Sequence, residues 1–160
     1  MNRLLKLQKY LLDEIEKYCQ LIPERDSPPH WEKAHMASCA RLGYLIALRR
    51  GINTDLASCA CACHDYGRII TGKQSGHAEA GYEPVKEFLK RTELFNDEEI
   101  EIIATAVKNH SSKALIQGPV DEIVKDADVL DFHMYGYELP RAEQRERLNM
   151  LIGKIEKVLA

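Results

Sequence analysis

Residues 53–65 read NTDLASCACACHD. The segment Asn53-Thr54-Asp55 is a favourable helix start, because these side chains accept hydrogen bonds from the free backbone N–H groups of the first turn. Small residues follow and predict a helix that faces a core, and the stretch ends in His64-Asp65. An imidazole nitrogen and a carboxylate oxygen on consecutive residues can reach one divalent cation, and the carboxylate can also bridge to a second cation. The stretch therefore predicts a core helix that ends in a metal-binding pair.

Helical periodicity continues on both sides of this stretch. Apolar residues recur every three or four positions, and Gly51, Gly118-Pro119 and Pro140 mark helix boundaries. The predicted helices cover residues 2–20, 31–50, 53–65, 77–91, 97–110, 120–132 and 140–159. Residues 66–76 contain three glycines and predict a loop. Because no stretch shows the sustained two-residue alternation of a strand, we expect an all-α single domain, residues 1–160, built as a bundle of about six to seven helices.

Composition and charge narrow the class of protein. Of the 160 residues, 45% are hydrophobic and 29% are charged, which is typical of a globular domain with its own core. The net charge of −3 offers no basic surface for nucleic acid, although a small phosphorylated ligand needs only a local positive patch. We find no signal peptide, and no apolar run approaches the ~20 residues of a membrane helix. We therefore expect a cytoplasmic protein without nucleic-acid or membrane partners.

The cysteines are five in number and lack zinc-finger spacing. Three of them alternate with alanine inside the helix of residues 53–65, where small thiols can fill gaps beside a core. We interpret the cysteines as buried thiols; the alternative is a sulfur-ligated metal or a redox centre. They are Cys19, Cys39, Cys59, Cys61 and Cys63.

Three histidines, His35, His64 and His110, lie at the inner ends of apolar helices, and His77 opens another helix. A single histidine in such a place is more often a hydrogen-bonded core residue than a ligand. Four of them together with nearby aspartates favour a metal centre instead. Imidazole and carboxylate ligands suit Fe, Mn, Co, Ni or Zn better than Ca or Mg.

An aspartate cluster, Asp126-Ala-Asp128, follows on the helix of residues 120–132. Side chains two positions apart on a helix point in different directions, so one of the two aspartates should face the site. With this cluster the chain resembles the HD-domain phosphohydrolase superfamily, whose pattern is a histidine, a histidine–aspartate pair and a later aspartate. The matching residues are His35, His64-Asp65 and Asp128, with Asp126 as the alternative for the last.

The resemblance covers about residues 30–133, between flanking helices at 2–20 and 140–159. It implies a helical bundle with one or two divalent metal ions between helices, the first held by His35, His64, Asp65 and Asp128. It also implies hydrolysis, by a metal-activated water, of a phosphomonoester, phosphodiester or phosphoanhydride bond in a small substrate, often a nucleotide. The alternative is a module that contains a metal and senses a nucleotide without turnover.

Two further histidines and two cations extend the predicted site. His77 and His110 stand where some family members place ligands for a second metal; alternatively they bind the substrate phosphate beside a single ion. Arg68 would be a catalytic and substrate-binding residue, and Lys73 a substrate-binding residue. Both would neutralise phosphate charge. The layout is similar to that of small bacterial HD hydrolases that split diadenosine tetraphosphate symmetrically. Those proteins tend to have lysine three residues after the aspartate, where this chain has Arg68.

Other polar and aromatic residues near the site are assigned to supporting roles. We expect Asp131 and His133 to support the ligands or the fold. Trp31, Tyr66 and Tyr82 favour core packing over stacking on a base.

The last predicted helix carries an apolar stripe that either closes the bundle or forms a homodimer. Its members are Leu148, Leu151, Ile152, Ile155 and Leu159.

Overall fold

The computed structural model describes residues 2–159, with side chains for residues 2–153. Eight α-helices follow one another without a strand in this part of the chain, so the predicted all-α class is confirmed. Seven of them correspond to predicted helices, and α4 is additional. They are α1 (Arg3–Leu21), α2 (Pro29–Arg50), α3 (Thr54–Cys63), α4 (Tyr66–Thr71), α5 (His77–Thr92), α6 (Asp97–Asn109), α7 (Pro119–Met134) and α8 (Ala142–Leu159).

The short helix α4 corrects the prediction of a loop over residues 66–76. The chain leaves α3, turns at Asp65 (φ −94°, ψ 16°) and continues as a helix in which the Ile69 N–H donates to the Asp65 carbonyl oxygen at 3.0 Å. Tyr66 and Ile69 are buried, so apolar burial stabilises α4 despite its low intrinsic helix propensity. Gly72, in the left-handed region at φ 69°, ends the helix.

Two glycines let α4 and α5 approach each other closely. A Cβ on Gly67 would lie 1.9 Å from the carbonyl oxygen of His77, and a Cβ on Gly81 would lie 2.9 Å from the backbone nitrogen of Gly67. Neither position has room for a side chain, so the two backbones pack directly on each other. This contact fixes the start of α5, and with it His77, beside the helix that follows Asp65.

Helix α3 is the central element of the bundle. Its residues from Leu56 to Cys63 are all buried, and it packs against α1, α2, α6 and α7. Cys61 fits against Gly43 of α2, where a Cβ would lie 2.3 Å from the cysteine Sγ. All five cysteines are free thiols and four of them are buried, as predicted for residues that fill gaps in the core.

Helix α8 packs against α7. Leu148 joins a small second apolar cluster, and Leu151 belongs to the main core. The predicted stripe of α8 is thus buried within the chain at these two positions, whereas the side chains of Ile155 and Leu159 lie outside the described residues. Within the described residues, none of the helices combines the length and the apolar character needed to cross a membrane.

Candidate metal centre

Four buried histidine side chains converge where several helices meet. His35 lies in α2, His64 directly follows α3, His77 opens α5 and His110 directly follows α6. The Nε2 atoms of His35 and His64 lie 3.1 Å apart, and those of His77 and His110 lie 2.9 Å apart. The fold therefore brings together the four histidines that the sequence singled out, as two adjacent pairs.

In three of these rings the Nδ1 atom is held by the backbone carbonyl oxygen of the residue three positions earlier. The distance is 2.7 Å for His64 and 2.6 Å for both His77 and His110. Because a carbonyl oxygen only accepts hydrogen bonds, each Nδ1 carries a proton and donates it. In the neutral ring Nε2 then has the free lone pair, which is the arrangement of a histidine prepared to bind a metal.

His35 is held by side chains instead. Its Nδ1 lies 2.6 Å from Oδ2 of Asp131, a buried carboxylate on α7. Trp31 stacks on the same ring, with centroids 4.8 Å apart and an interplanar angle of 15°. These two contacts fix the ring with Nε2 directed at His64, Asp65 and Asp128.

The carboxylate of Asp65 lies between the two histidine pairs. Its Oδ2 is 3.1 Å from His64 Nε2 and 3.3 Å from His35 Nε2, whereas its Oδ1 is 3.0 Å from His77 Nε2 and 3.6 Å from His110 Nε2. One carboxylate thus offers a different oxygen to each pair. We call the first group, with His35 and His64, the Oδ2 side of Asp65, and the second, with His77 and His110, the Oδ1 side.

A second carboxylate, that of Asp128, belongs to the Oδ2 side. Its Oδ1 lies 3.2 Å from His35 Nε2 and 3.7 Å from His64 Nε2. Asp126, the alternative in the sequence, faces away and forms ion pairs with Arg50 and Arg147. The aspartate of this pair that contacts the histidines is therefore Asp128.

Charge shifts the pKa values of the Oδ2 side toward the ionised forms. Burial lowers the pKa of His64, but the negative charges of Asp65 and Asp128 and the hydrogen bonds to them together outweigh burial and raise this pKa to about 9. Burial raises the pKa of Asp65, but the positive charges of Arg68 and His64, with the hydrogen bonds from His35 and His64, together outweigh burial and hold this pKa well below the usual value. The pKa of Asp128 is low for the same reason, with Lys113 as the nearby cation.

The Oδ1 side has the opposite electrostatic character. Burial lowers the pKa of His110 well below the usual value, and the positive charges of His64 and Lys113 lower it further. His110 is therefore a neutral imidazole at physiological pH. A neutral ring of this kind can bind a cation without first releasing a proton.

The donor set fits a divalent transition metal. Without a proton or a cation between them, these lone pairs and carboxylate charges would repel one another in a buried site. His64, Asp65 and His110 are close enough to share one ion, and so are His35, Cys39 and His64. Burial raises the pKa of the Cys39 thiol to about 12, which disfavours the thiolate that a metal requires. Imidazole nitrogens and carboxylate oxygens are therefore the ligands this site offers.

The two predicted phosphate-binding cations have different surroundings. Arg68 is buried and directs its donors to Glu32, at 3.0 and 3.1 Å, to Gln74 at 2.9 Å and to Oδ2 of Asp65. Its guanidinium thus orients the carboxylate of Asp65. Lys73 is exposed, lies 3.6 Å from Asp26 and is not among the described residues that line the cavity at the metal centre.

A cavity of about 810 Å³ opens onto the centre. Asp65, Asp128, His77 and His110 form part of its wall. The aromatic lining residues are Trp31, Phe132 and Tyr137, and the basic ones are Arg68, Lys108, Lys113 and Arg141. Of the three aromatic residues considered in the sequence analysis, Trp31 lines the cavity and the other two lie elsewhere. Tyr66 stacks on Phe88, and the Tyr82 hydroxyl donates a hydrogen bond to Glu101.

Sequence reasoning missed Lys113, a buried cation whose Nζ contacts Oδ2 of Asp128. It also missed Arg147 of α8, which bonds to the backbone at Lys113. Lys113 lies in a connection without helical periodicity, where its position three residues after His110 was the only available signal. His133, expected to support the ligands or the fold, is exposed on the last turn of α7.

The helical bundle and its buried histidine–aspartate cluster define the class of protein, a helical domain with a side-chain cluster that could hold a divalent metal ion. The profile of the family described as HD domain matches residues 33–133, more than half of the chain. The chain belongs to the HD domain family, as the motifs predicted. HD domains bind divalent metals, and most members are metal-dependent hydrolases. Neither the curated proteins nor the solved structures that were searched contain a match to the chain.

Proposed function

We propose that this protein is a metal-dependent phosphohydrolase that acts on a phosphomonoester, phosphodiester or phosphoanhydride bond of a small substrate, preferentially a nucleotide. The observation that carries the proposal is the arrangement around Asp65, whose two carboxylate oxygens face two pairs of histidine Nε2 atoms beside a cavity of about 810 Å³. Membership of the HD domain family supports the same reaction class.

Each side of Asp65 would hold one divalent ion. The ligands would be His35, His64, Asp128 and Asp65 Oδ2 for the first ion, and His77, His110 and Asp65 Oδ1 for the second. A divalent transition metal bound there lowers the pKa of water and polarises a phosphoryl oxygen. Fe, Mn, Co, Ni and Zn all suit this ligand set.

The surrounding side chains prepare the site for this chemistry. Arg68, fixed by Glu32, holds Asp65, and Asp131 holds the ring of His35. Because these groups are already paired, ligand binding requires little rearrangement. The cavity combines aromatic rings with basic residues, which suits a phosphate joined to a planar base and supports the preference for nucleotides.

Reconstitution tests the proposal. The protein is loaded anaerobically with Fe, Mn, Co, Ni or Zn and assayed against mononucleotides, dinucleoside polyphosphates and sugar phosphates. We expect turnover with at least one metal, and a loss on the order of 10³-fold or more in Asp65→Ala, since this change removes a ligand from both sides. Asp13→Ala, an exposed carboxylate on α1, is the matched control.

The same experiment tests the alternative of a sensing module. Metal and nucleotide binding without turnover by any reconstituted form would contradict the hydrolase and indicate a sensor. Asp65→Ala should keep its helical circular dichroism if the metal serves catalysis. Loss of folding along with the metal would indicate a structural ion instead.

A further inference from the structure

Three consecutive residues between α6 and α7, Ser111-Ser112-Lys113, line the cavity next to the metal centre. Lys113 is only 3% exposed, so its ammonium group is a buried charge. Its Nζ contacts Oδ2 of Asp128, the oxygen opposite the one that lies 3.2 Å from His35. The segment therefore places a buried cation at the wall that the metal centre shares with the cavity.

Lys113 differs from Arg68, the other buried cation at this wall, in its hydrogen bonds. Arg68 uses its Nε and both terminal nitrogens on Glu32, Gln74 and Asp65. The ammonium group of Lys113 has three donors, and Asp128 is its one acceptor among the described residues. A buried ammonium with unused donors is costly, and an anionic ligand in the cavity would satisfy them.

The backbone of the same segment is held by two arginines from the C-terminal part of the chain. Arg147 donates from Nε and from a terminal nitrogen to the Lys113 carbonyl oxygen, at 3.3 and 2.9 Å. Arg141 donates to the Ser111 carbonyl oxygen at 3.0 Å. Both arginines lie beyond residues 33–133, the part that matches the family. The segment is thus held by residues outside the part of the chain that matches the family.

Arg147 is itself anchored on α7. Its guanidinium lies 2.9 Å from Glu122 and 2.7 Å from Asp126. Helix α7 also carries Asp128, the ligand that Lys113 contacts. Arg147 therefore ties the segment to the helix that presents the metal ligand, which fixes the distance between the ammonium group and the metal centre.

We infer that Ser111-Ser112-Lys113 binds the phosphoryl group of the substrate, that Lys113 supplies the charge, and that Arg147 is a positioning residue for Lys113. The inference rests on the proposed function for the identity of the ligand as a phosphoryl group. Binding of inorganic phosphate, however, can be measured without turnover, so the binding inference and the hydrolase proposal can fail separately.

Inorganic phosphate binding to the full-length, metal-loaded protein tests the role of Lys113 by calorimetry. Loss of a charge-assisted hydrogen bond should weaken phosphate binding about tenfold to 100-fold in Lys113→Met, and Lys113→Arg should recover part of the loss. Metal content should stay unchanged. Lys90→Met, which removes an exposed lysine with the same change of charge, should bind phosphate like the unmodified protein.

Two results would overturn this assignment. Unmodified protein that is loaded with metal but binds no phosphate would exclude a phosphoryl site at this segment. Lys113→Met protein that loses metal, yet binds phosphate normally once metal is restored, would show that Lys113 serves only to hold Asp128. If phosphate binding depends on Lys113 but no substrate is turned over, the binding site stands and the hydrolase proposal fails.

A double-mutant comparison tests the positioning role of Arg147. Arg147→Gln should weaken phosphate binding about three- to tenfold, and this effect should disappear in the Lys113→Met background, because it acts through Lys113. Arg50→Gln is the matched control, since Arg50 also pairs with Asp126 but has no hydrogen bond or ion pair to the segment among the described residues. If Arg147→Gln does not fold, Arg147→Lys takes its place, because it keeps the positive charge but cannot make both hydrogen bonds to the Lys113 carbonyl oxygen. Equal effects with and without Lys113 would contradict the positioning role.

Discussion

The two sides of Asp65 use the same kinds of ligand in different surroundings. The Oδ2 side has a second carboxylate, Asp128, and His35 and His64 are not among the described residues that line the cavity. The Oδ1 side has no second carboxylate in its described contacts, and both of its histidines line the cavity. We therefore expect the two sides to differ in metal affinity. An ion on the Oδ2 side should be held firmly, whereas an ion on the Oδ1 side, next to the substrate, should exchange more readily.

The pKa values agree with this expected difference in metal affinity. His64 has a pKa raised to about 9, since Asp65 and Asp128 together outweigh burial. His110 has a pKa well below the usual value, because burial and the positive charge of His64 both lower it. The Oδ2 side thus stabilises positive charge at His64, whereas positive charge at His110 on the Oδ1 side is disfavoured.

The largest expected effect comes from a ligand on the Oδ2 side. His64→Ala removes an Nε2 donor from the site with the higher expected affinity, so we predict loss of the first ion and a drop in activity on the order of 10³-fold. Elemental analysis and turnover measure the two effects. His30→Ala, an exposed histidine at the start of α2, is the control. Full metal content in His64→Ala would contradict the assignment of the Oδ2 side.

A smaller effect is expected from the Oδ1 side. His110→Ala should lose one ion and retain the other, with a decrease in activity on the order of 10²-fold. Titration with Mn(II), followed by electron paramagnetic resonance, counts the remaining ions. If both ions remain and only phosphate binding weakens, His77 and His110 bind substrate beside a single ion, which is the alternative that the sequence left open.

Acid should weaken the Oδ2 side before the Oδ1 side. In the metal-free protein His64 is protonated below a pKa of about 9, and the pKa of His35 is raised well above its usual value despite burial, so binding of the first ion must displace protons from these rings. Apparent affinity at that side should therefore rise with pH throughout the range from pH 6 to 9, roughly tenfold per unit for each proton displaced. Because the pKa of His110 is lowered, its contribution should change little above neutral pH. Chelator competition between pH 6 and 9 measures both; an affinity for the first ion that is independent of pH would contradict this.

The smallest of these effects comes from a residue behind the ligands. Asp131→Asn keeps a side-chain oxygen that can accept the hydrogen bond from Nδ1 of His35. It removes the negative charge that would strengthen metal binding by His35. We expect metal affinity on the Oδ2 side to fall about tenfold to 100-fold, with the Oδ1 side unchanged. Calorimetric titration resolves the two sites, with Asp13→Asn as the control. Equal weakening of both sites would show that Asp131 supports the fold as a whole.

The sequence predicted most of the fold because periodicity and boundary residues act locally. Gly51 and the apolar spacing located seven helices, but α4 has only six residues and is too short to show a periodic pattern. Its stability comes from burial of Tyr66 and Ile69 against distant parts of the chain. The local sequence does not show that burial, because it depends on how distant segments pack.

The candidate site was predictable in its ligands but not in its supporting contacts. His35, His64, Asp65 and Asp128 followed from motif order, and the structure brings them together. The contact between Arg147 and the Lys113 carbonyl joins residues 34 positions apart. Such contacts depend on how helices pack, so no spacing rule shows them before the fold is known.

Anomalous diffraction at the metal absorption edge, from crystals of the anaerobically reconstituted protein, tests the central claim most directly. We predict two peaks, one on each side of Asp65, with the higher occupancy on the Oδ2 side. Metal-loaded crystals without an anomalous peak among these histidines and aspartates would contradict the assignment of a metal centre, and with it the proposed hydrolase.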